Sequence, residues 1–290
     1  MPAVEVSNDG DSRGKWISAG SLAGVYGALT LWSYIAWYHN KEQLPEFTVN
    51  GDGWFGQDTY AGGSDKLGHL WGNLVISRLT TKILRAGGWR KLPASVIASS
   101  LSLAFFTYVE IKDGFYYQFS TGDMVGNVIG AGLSVLMVNV PRVDELIDFR
   151  VEYRPTSEYI NSLTESGDVN VVEDYSGQTY MLALHLKGFD RLARSKWFGW
   201  TQYVDIVGGF QSVNYKPEPA NPDAPRNQSL FMGVALNMQH LLGAAFGDRP
   251  HRSRAKRWAH GVGNMTFEFM SMPFTTLRAV NTSRSPDGSP

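Results

Sequence analysis

Apolar and polar positions follow two different rhythms along the chain. Through the first half, long apolar stretches are interrupted by small or polar residues three or four apart, the spacing of one helix face; beyond about residue 148 the period drops to two, the spacing of strands. Residues 16–38 contain 23 positions without a charge, with Arg13 and Lys15 before them and Lys41 after. That length spans a bilayer. With Gly20, Gly24 and Gly27 available for close packing, the same segment also suits a buried core helix, and the pattern leaves both readings open. A cleavable signal peptide would carry a shorter apolar region, about 7 to 15 residues, after a basic start.

Residues 41–63 read as a loop. A second helix is predicted from Ser64, a suitable N-cap with Asp65 in the first turn, to the glycine pair Gly87 and Gly88. A third begins near Pro93 and runs to about Phe119, and a fourth, capped by Ser120, continues to Val140, where Pro141 closes it. Alternation then predicts strands at 180–187, 202–215, 229–242 and 264–277. The expected fold class is α+β: a helical bundle of about four helices followed by an antiparallel sheet of four to six strands. The expected domains are a disordered tail at 1–15, the bundle at 16–147, the β region at 148–280 and a second tail at 281–290. Met232, Val234, Leu236 and Met238 fall on one face of their strand, a pattern that also suits a membrane barrel wall. Single-chain bacterial barrels use at least about eight strands, so an outer-membrane β protein built this way would be an oligomer.

Composition narrows the function. A net charge of -1 leaves no global basic field for nucleic acid, and the absence of Cys removes disulfides, Cys-ligated metal and thiol catalysis. The basic run Arg249, Arg252, Arg254, Lys256 and Arg257 reads as a solvated loop or as a contact for phospholipid headgroups. No P-loop, dinucleotide fingerprint, serine-hydrolase elbow or paired-histidine zinc motif occurs.

What stands out is a polar stripe on each of three mostly apolar helices. Asp65, His69 and Asn73 are four residues apart; Glu110 and Asp113 close the third helix; Ser120, Asp123 and Asn127 lie on one face of the fourth. Such stripes are expected to meet inside the bundle, where charges must be paired, hydrogen-bonded or metal-bound. In a functional reading Asp65, His69, Glu110, Asp113 and Asp123 are catalytic or metal candidates, holding one divalent metal ion or serving as acid and base. In a structural reading they form an internal network with Lys66, Asn73, Ser120 and Asn127.

The ordered blocks from Ser64 to His69, from Glu110 to Phe115 and from Phe119 to Ala131 resemble the YfiM-like family, predicted periplasmic lipoproteins of unknown function. The later blocks from Glu173 to Tyr180 and from Leu230 to Asn237 resemble its longer members, which add a β-rich half. A looser likeness, limited to residues 64–132, is to VanZ-like membrane proteins. The resemblance implies a bacterial cell-envelope protein, membrane-associated on the periplasmic or outer-membrane side, and no activity. It departs in one respect: without Cys there is no lipobox, so the segment 16–38 would do any anchoring. The expected role is structural or accessory, with a membrane-proximal metal-dependent hydrolase and an oligomeric outer-membrane β protein as alternatives. Expected partners are membrane lipid and, on the accessory reading, another protein, not nucleic acid.

Overall fold

The computed structural model describes residues 12–50, 53–167, 170–189, 195–221, 223–246 and 253–284. The chain divides into a helical unit, 1–50 with 72–140, and a sheet unit, 51–71 with 141–290.

In the helical unit, α1 (Ser12–Ser33) starts within the segment read as a tail, whose first eleven residues lie outside the described ones. It ends in a π-helical turn at Tyr34–Tyr38. Leu22 of α1 packs against Leu84, Ala94 and Ala98, with Tyr26, Trp89 and Ile97 around them. Only Ser18, Leu22 and Ser33 of α1 are buried, and Trp16 is 77% exposed, so it is not a core helix. α2 (Ser64–Ala86) is one continuous helix whose residues from Gly72 onward belong here. It stops where Gly88 takes a positive φ of 87°, open to glycine without strain. α3 (Lys91–Tyr116) and α4 (Thr121–Asn139) follow, and a short parallel bridge joins β1 (Val49–Asn50) to β2 (Phe119–Ser120).

The buried sides of α3 and α4 mix apolar residues, among them Ala94, Ala98, Phe105, Val109, Ala131 and Met137, with polar ones, and several aliphatic residues are exposed. Their buried positions include Ser95, Ser99, Ser102, Glu110, Asp123, Asn127 and Ser134, with Gly126 and Gly130, while Leu92, Val96, Leu101, Val125, Val128, Ile129 and Leu136 are exposed. Among the described residues these two helices, not α1, are the ones long and apolar enough to cross a membrane.

The sheet unit contains α5 (Pro141–Leu146), β3 (Ile147–Tyr153), α6 (Ser157–Ser166), β4 (Gln178–His185), β5 (Val204–Val213), β6 (Asn227–Leu236), α7 (Met238–Phe246), α8 (Arg254–Phe269), β7 (Met270–Ser271) and β8 (Thr276–Arg284). The strand order is β7-β3-β4-β5-β6-β8, antiparallel except for the parallel β3–β7 pair, so the sheet is mixed and lies open at β7 and β8. The helices then sheet of an α+β fold are thus present. β3 is not among the strands expected from the sequence, the others are displaced by two residues or more at one or both ends, and two segments expected as strand are helix. Residues 238–242 are helix because the Asn237 side chain accepts the His240 backbone N–H at 2.8 Å and starts α7. Residues 264–269 complete α8, the alternation of Met265, Phe267 and Phe269 being overridden by the helix that enters from Arg254. β8 reaches Arg284, inside the segment read as a second tail, and 285–290 lie outside the described residues. So do Arg249, His251 and Arg252 of the basic run.

One sheet face is buried over Met181, Ala183, Val207, Phe231 and Ala235. The opposite face leaves Leu230, Met232, Val234 and Leu236 of β6 exposed beside Leu277 and Val280 of β8. At one end of that second face, Ser212 bonds Ser64 at 2.7 Å and the Ala61 carbonyl, and Gln228 donates to the Gly62 carbonyl at 2.8 Å. Ser64 therefore uses its hydroxyl on a strand rather than as a helix cap.

Candidate functional site

Within the helical unit, Glu110 and Asp123 come together. Glu110 lies on the last turns of α3 and is 1% exposed; Asp123 lies in the first turn of α4 and is 8% exposed. A carboxylate oxygen of one lies within 4.8 Å of a carboxylate oxygen of the other. Ser120 sets this spacing. Its hydroxyl accepts the Asp123 backbone N–H at 3.0 Å as the N-cap of α4, and its own backbone N–H donates to Glu110 Oε2 at 3.2 Å. The four-residue step from Glu110 to Gly114 and the tight β2 connection thus tie the end of one helix to the start of the next.

One turn deeper on α4, Asn127 Oδ1 accepts from Asn73 Nδ2 at 2.8 Å, and Asn73 Oδ1 accepts from Ser102 at 2.8 Å. These three residues are fully buried and bind α2, α3 and α4 through side-chain hydrogen bonds, each contributing about 0.5–1.5 kcal/mol net. Asp113, a residue of the same sequence cluster, accepts from Tyr38 Oη at 2.7 Å. Lys112 lies over the rings of Tyr34, Tyr38 and Tyr116, at 4.5 Å from the last, so the end of α3 is also an aromatic collar.

The first two turns of α2 belong to the sheet unit. There Asp65 pairs with Lys66 at 2.9 Å, both largely buried. Tyr180 of β4 lies close by: a side chain at Gly68 would meet its hydroxyl at 2.9 Å, and burial followed by the Asp65 charge pushes its ionisation far above the ordinary phenol value. His69 follows on the same helix, half-buried.

A second polar constellation was not singled out by sequence reasoning. Arg150 of β3 sits between two carboxylates, at 2.7 Å from Asp148 Oδ2 and 2.9 Å from Asp205 Oδ2. His185 of β4 closes the ring, Nε2 at 3.0 Å from Asp148 and Nδ1 at 2.8 Å from Asp205. Asn237 donates to Asp205 Oδ1 at 2.8 Å. All five are at most 4% exposed. A carboxylate at each ring nitrogen favours the imidazolium form of His185, in which two acids are balanced by two cations. Burial by itself would lower the His185 pKa, but the hydrogen bonds and charges of Asp148 and Asp205 outweigh it and hold the value above the ordinary one. Burial would likewise raise Asp148, and His185 and Arg150 overcome it to hold that carboxyl low. The signal available in the sequence was the alternation Asp148-x-Arg150-x-Glu152, which puts three charges on the inward side of a strand whose other side is apolar.

Comparison with known proteins bears on the first constellation. A family model described as predicted periplasmic lipoprotein (DUF2279) matches residues 51–139, which include Asp65, His69, Glu110 and Asp123. No curated protein and no solved structure matches the chain. The match agrees with a bacterial envelope protein of unknown activity on the periplasmic side. None of the 290 residues is a Cys, so none of them carries a thioether-linked lipid.

Proposed function

We propose that this is an envelope protein whose helical unit is embedded in a lipid bilayer, with membrane lipid as its first partner. The observation that carries this reading is the polarity of α3 and α4: Ser, Gly, Asn, Glu and Asp share the buried side with Ala94, Ala98, Phe105, Val109, Ala131 and Met137, while Leu92, Val96, Leu101, Val125, Val128, Ile129 and Leu136 are exposed. Water would penalise each apolar face by about 25 cal/mol per Å² of surface left exposed, whereas hydrocarbon removes that penalty. In a bilayer, small residues let helices approach closely and buried hydroxyl and amide groups bind them together, which is the role of Ser95, Ser99, Ser102, Asn127 and Ser134 here. At about 1.5 Å per residue, α3 with 26 residues exceeds a hydrocarbon core of about 30 Å, and α4 with 19 falls within the range of about 17–25 residues that spanning helices use. Trp32, Trp37, Tyr34, Tyr116 and Tyr117 supply aromatic residues of the kind found at membrane interfaces. The test is extraction of bacterial membranes with alkaline carbonate. The full chain is expected to stay with the lipid and to leave it in a Val125→Asp/Val128→Asp/Ile129→Asp variant; release of the unaltered chain as a monodisperse, detergent-free protein would overturn the reading.

We also propose that Glu110 and Asp123 hold a divalent cation. Two carboxylates set this close in a buried site repel each other, and a bound cation relieves that repulsion. A hydrolytic role would require the ion to activate water, so metal content comes first. Mass spectrometry of the detergent-solubilised chain is expected to find one divalent ion, lost in Glu110→Gln and Asp123→Asn at unchanged circular dichroism. Failure to take up zinc, manganese, magnesium or calcium would leave the pair structural.

A further inference from the structure

The buried sheet face has three bands. At one end lie Asp148, Arg150, His185 and Asp205; the middle is the apolar cluster around Val207; at the other end Glu152 of β3, Thr179 of β4 and Gln211 of β5 stand in one row, each paired with the next across the strands. The first end is closed by α7 and α8, with Gln239 reaching both Arg150 and the Asn264 carbonyl. The other end opens into a cavity of about 290 Å³ lined by Arg154, Ser176, Thr179, Gln211, Thr276 and Arg278.

The two arginines are held rather than loose. Arg154 pairs with buried Glu152, and its guanidinium lies 4.4 Å from the Phe274 ring centre. Arg278 lies 4.2 Å from the Phe231 ring centre and donates to Gln211 Oε1 at 3.1 Å. Stacking on a ring fixes the guanidinium plane and leaves its N–H edge to point elsewhere. Gly233 makes the placement of Arg278 possible: a Cβ there would lie 2.1 Å from the Leu277 carbonyl oxygen, so only glycine lets β8 come this near, next to the bulge at Met232 and Gly233. Glu152 supplies one negative charge against two positive ones. Burial and the like charge of Arg154 hold Arg278 below the usual guanidinium value against the pull of Glu152, so an added anion would be welcomed.

We infer that this cavity is a binding site for a single oxyanion group, a phosphate monoester or a carboxylate carried by a small molecule. Arg154 and Arg278 offer fork-shaped donors that match either group, and Ser176, Thr179 and Thr276 line the same space. Its volume is at the lower end of the range for small-molecule sites, the size of a headgroup or an amino acid rather than of a polymer. Glu152 removes one unit of charge, which sets the net attraction at about one anionic charge.

Isothermal titration of the full chain with inorganic phosphate, glycerol phosphate and N-acetylglycine tests this. One saturable site per chain is expected for at least one of the three, weakened by added chloride and by about tenfold or more in Arg278→Gln. Arg278 is surface-exposed, so this variant is expected to fold, and Thr276→Val, expected to weaken binding less, serves as a second readout with an unaltered charge. Phosphate and glycerol phosphate binding without N-acetylglycine would assign a phosphate site, and the reverse a carboxylate site. No saturable heat with any of the three, or equal binding by the unaltered chain and both variants, would overturn the assignment.

Discussion

The two units bury polar groups by different means. In the sheet unit the buried charges cancel among themselves: Asp148 and Asp205 face Arg150 and His185, with every ring and guanidinium contact short and no surface exposure above 4% for any of the four. An apolar cluster sits beside them, so that unit has a water-excluding core of the ordinary kind. In the helical unit the apolar cluster around Leu22 and Leu84 is joined by buried serines, asparagines, glycines and two acids on α3 and α4, while Val125, Val128, Ile129 and Leu136 are exposed. The difference teaches that buried polar groups can be satisfied by opposed charges or by hydrogen bonds between neutral side chains; on the membrane reading proposed above, the second means suits a unit surrounded by hydrocarbon.

The comparison is broken most severely by removing one member of the balanced set. Arg150→Met is expected to leave two buried carboxylates facing one imidazolium and to destabilise the sheet unit by about 3–5 kcal/mol. Urea denaturation followed by circular dichroism checks this, and a loss below about 1 kcal/mol would show that water reaches the ring. Charge balance also predicts a pH dependence. His185 has a raised folded pKa, so its contribution is complete below the ordinary value of 6.5 and is lost as pH rises through the raised value. Asp148 has a lowered one, so its contribution is present above the ordinary 3.8 and is lost as pH falls through the lowered value. Urea midpoints measured from about pH 4 to about pH 9 should therefore be highest between those ordinary values, with the alkaline decline abolished in His185→Gln.

The helical unit is expected to respond more mildly. Asn127→Leu removes the acceptor of the buried Asn73 amide N–H while the Ser102 bond to Asn73 remains, and should cost about 1–3 kcal/mol, read as a lower midpoint in detergent. If the same substitution were neutral in detergent, the asparagine bridge would be incidental to helix association. The smallest effect is expected at the cap. Ser120→Ala removes the acceptor of the Asp123 N–H, about 1 kcal/mol, but it should also reduce binding of the proposed cation because Asp123 loses its anchor. An unchanged metal content would separate the cap from the site.

Much of the helical unit was legible because its signals are local. Ser120 as a cap, Gly87 and Gly88 as a stop and Pro141 as a closure each act on the backbone within a turn or two, and the Asp65, His69, Asn73 stripe is a statement about one helix. The strands at β4, β5 and β6 were legible from alternation for the same reason. α7 could have been found from Asn237 with a turn starting behind it, and α6 from Thr156, whose hydroxyl accepts the Tyr159 N–H, and from Gly167 at a φ of 70°. Residues 264–269 could not, since their alternation fits a strand and only the helix entering from Arg254 decides otherwise.

By itself, then, the amino-acid order determined the helices of the first half, the strands β4, β5 and β6, and that Glu110, Asp123 and Asn127 share a polar role. Tertiary structure alone decided that Arg150 meets Asp205, 55 residues away, that His185 stands between two acids, and that Arg154 and Arg278 converge on one cavity. The physical reason is range. Caps, glycines and periodicity act through neighbouring backbone groups, whereas strand register carries a side chain to a partner distant in the chain, and a shift of one residue would turn it to the opposite face.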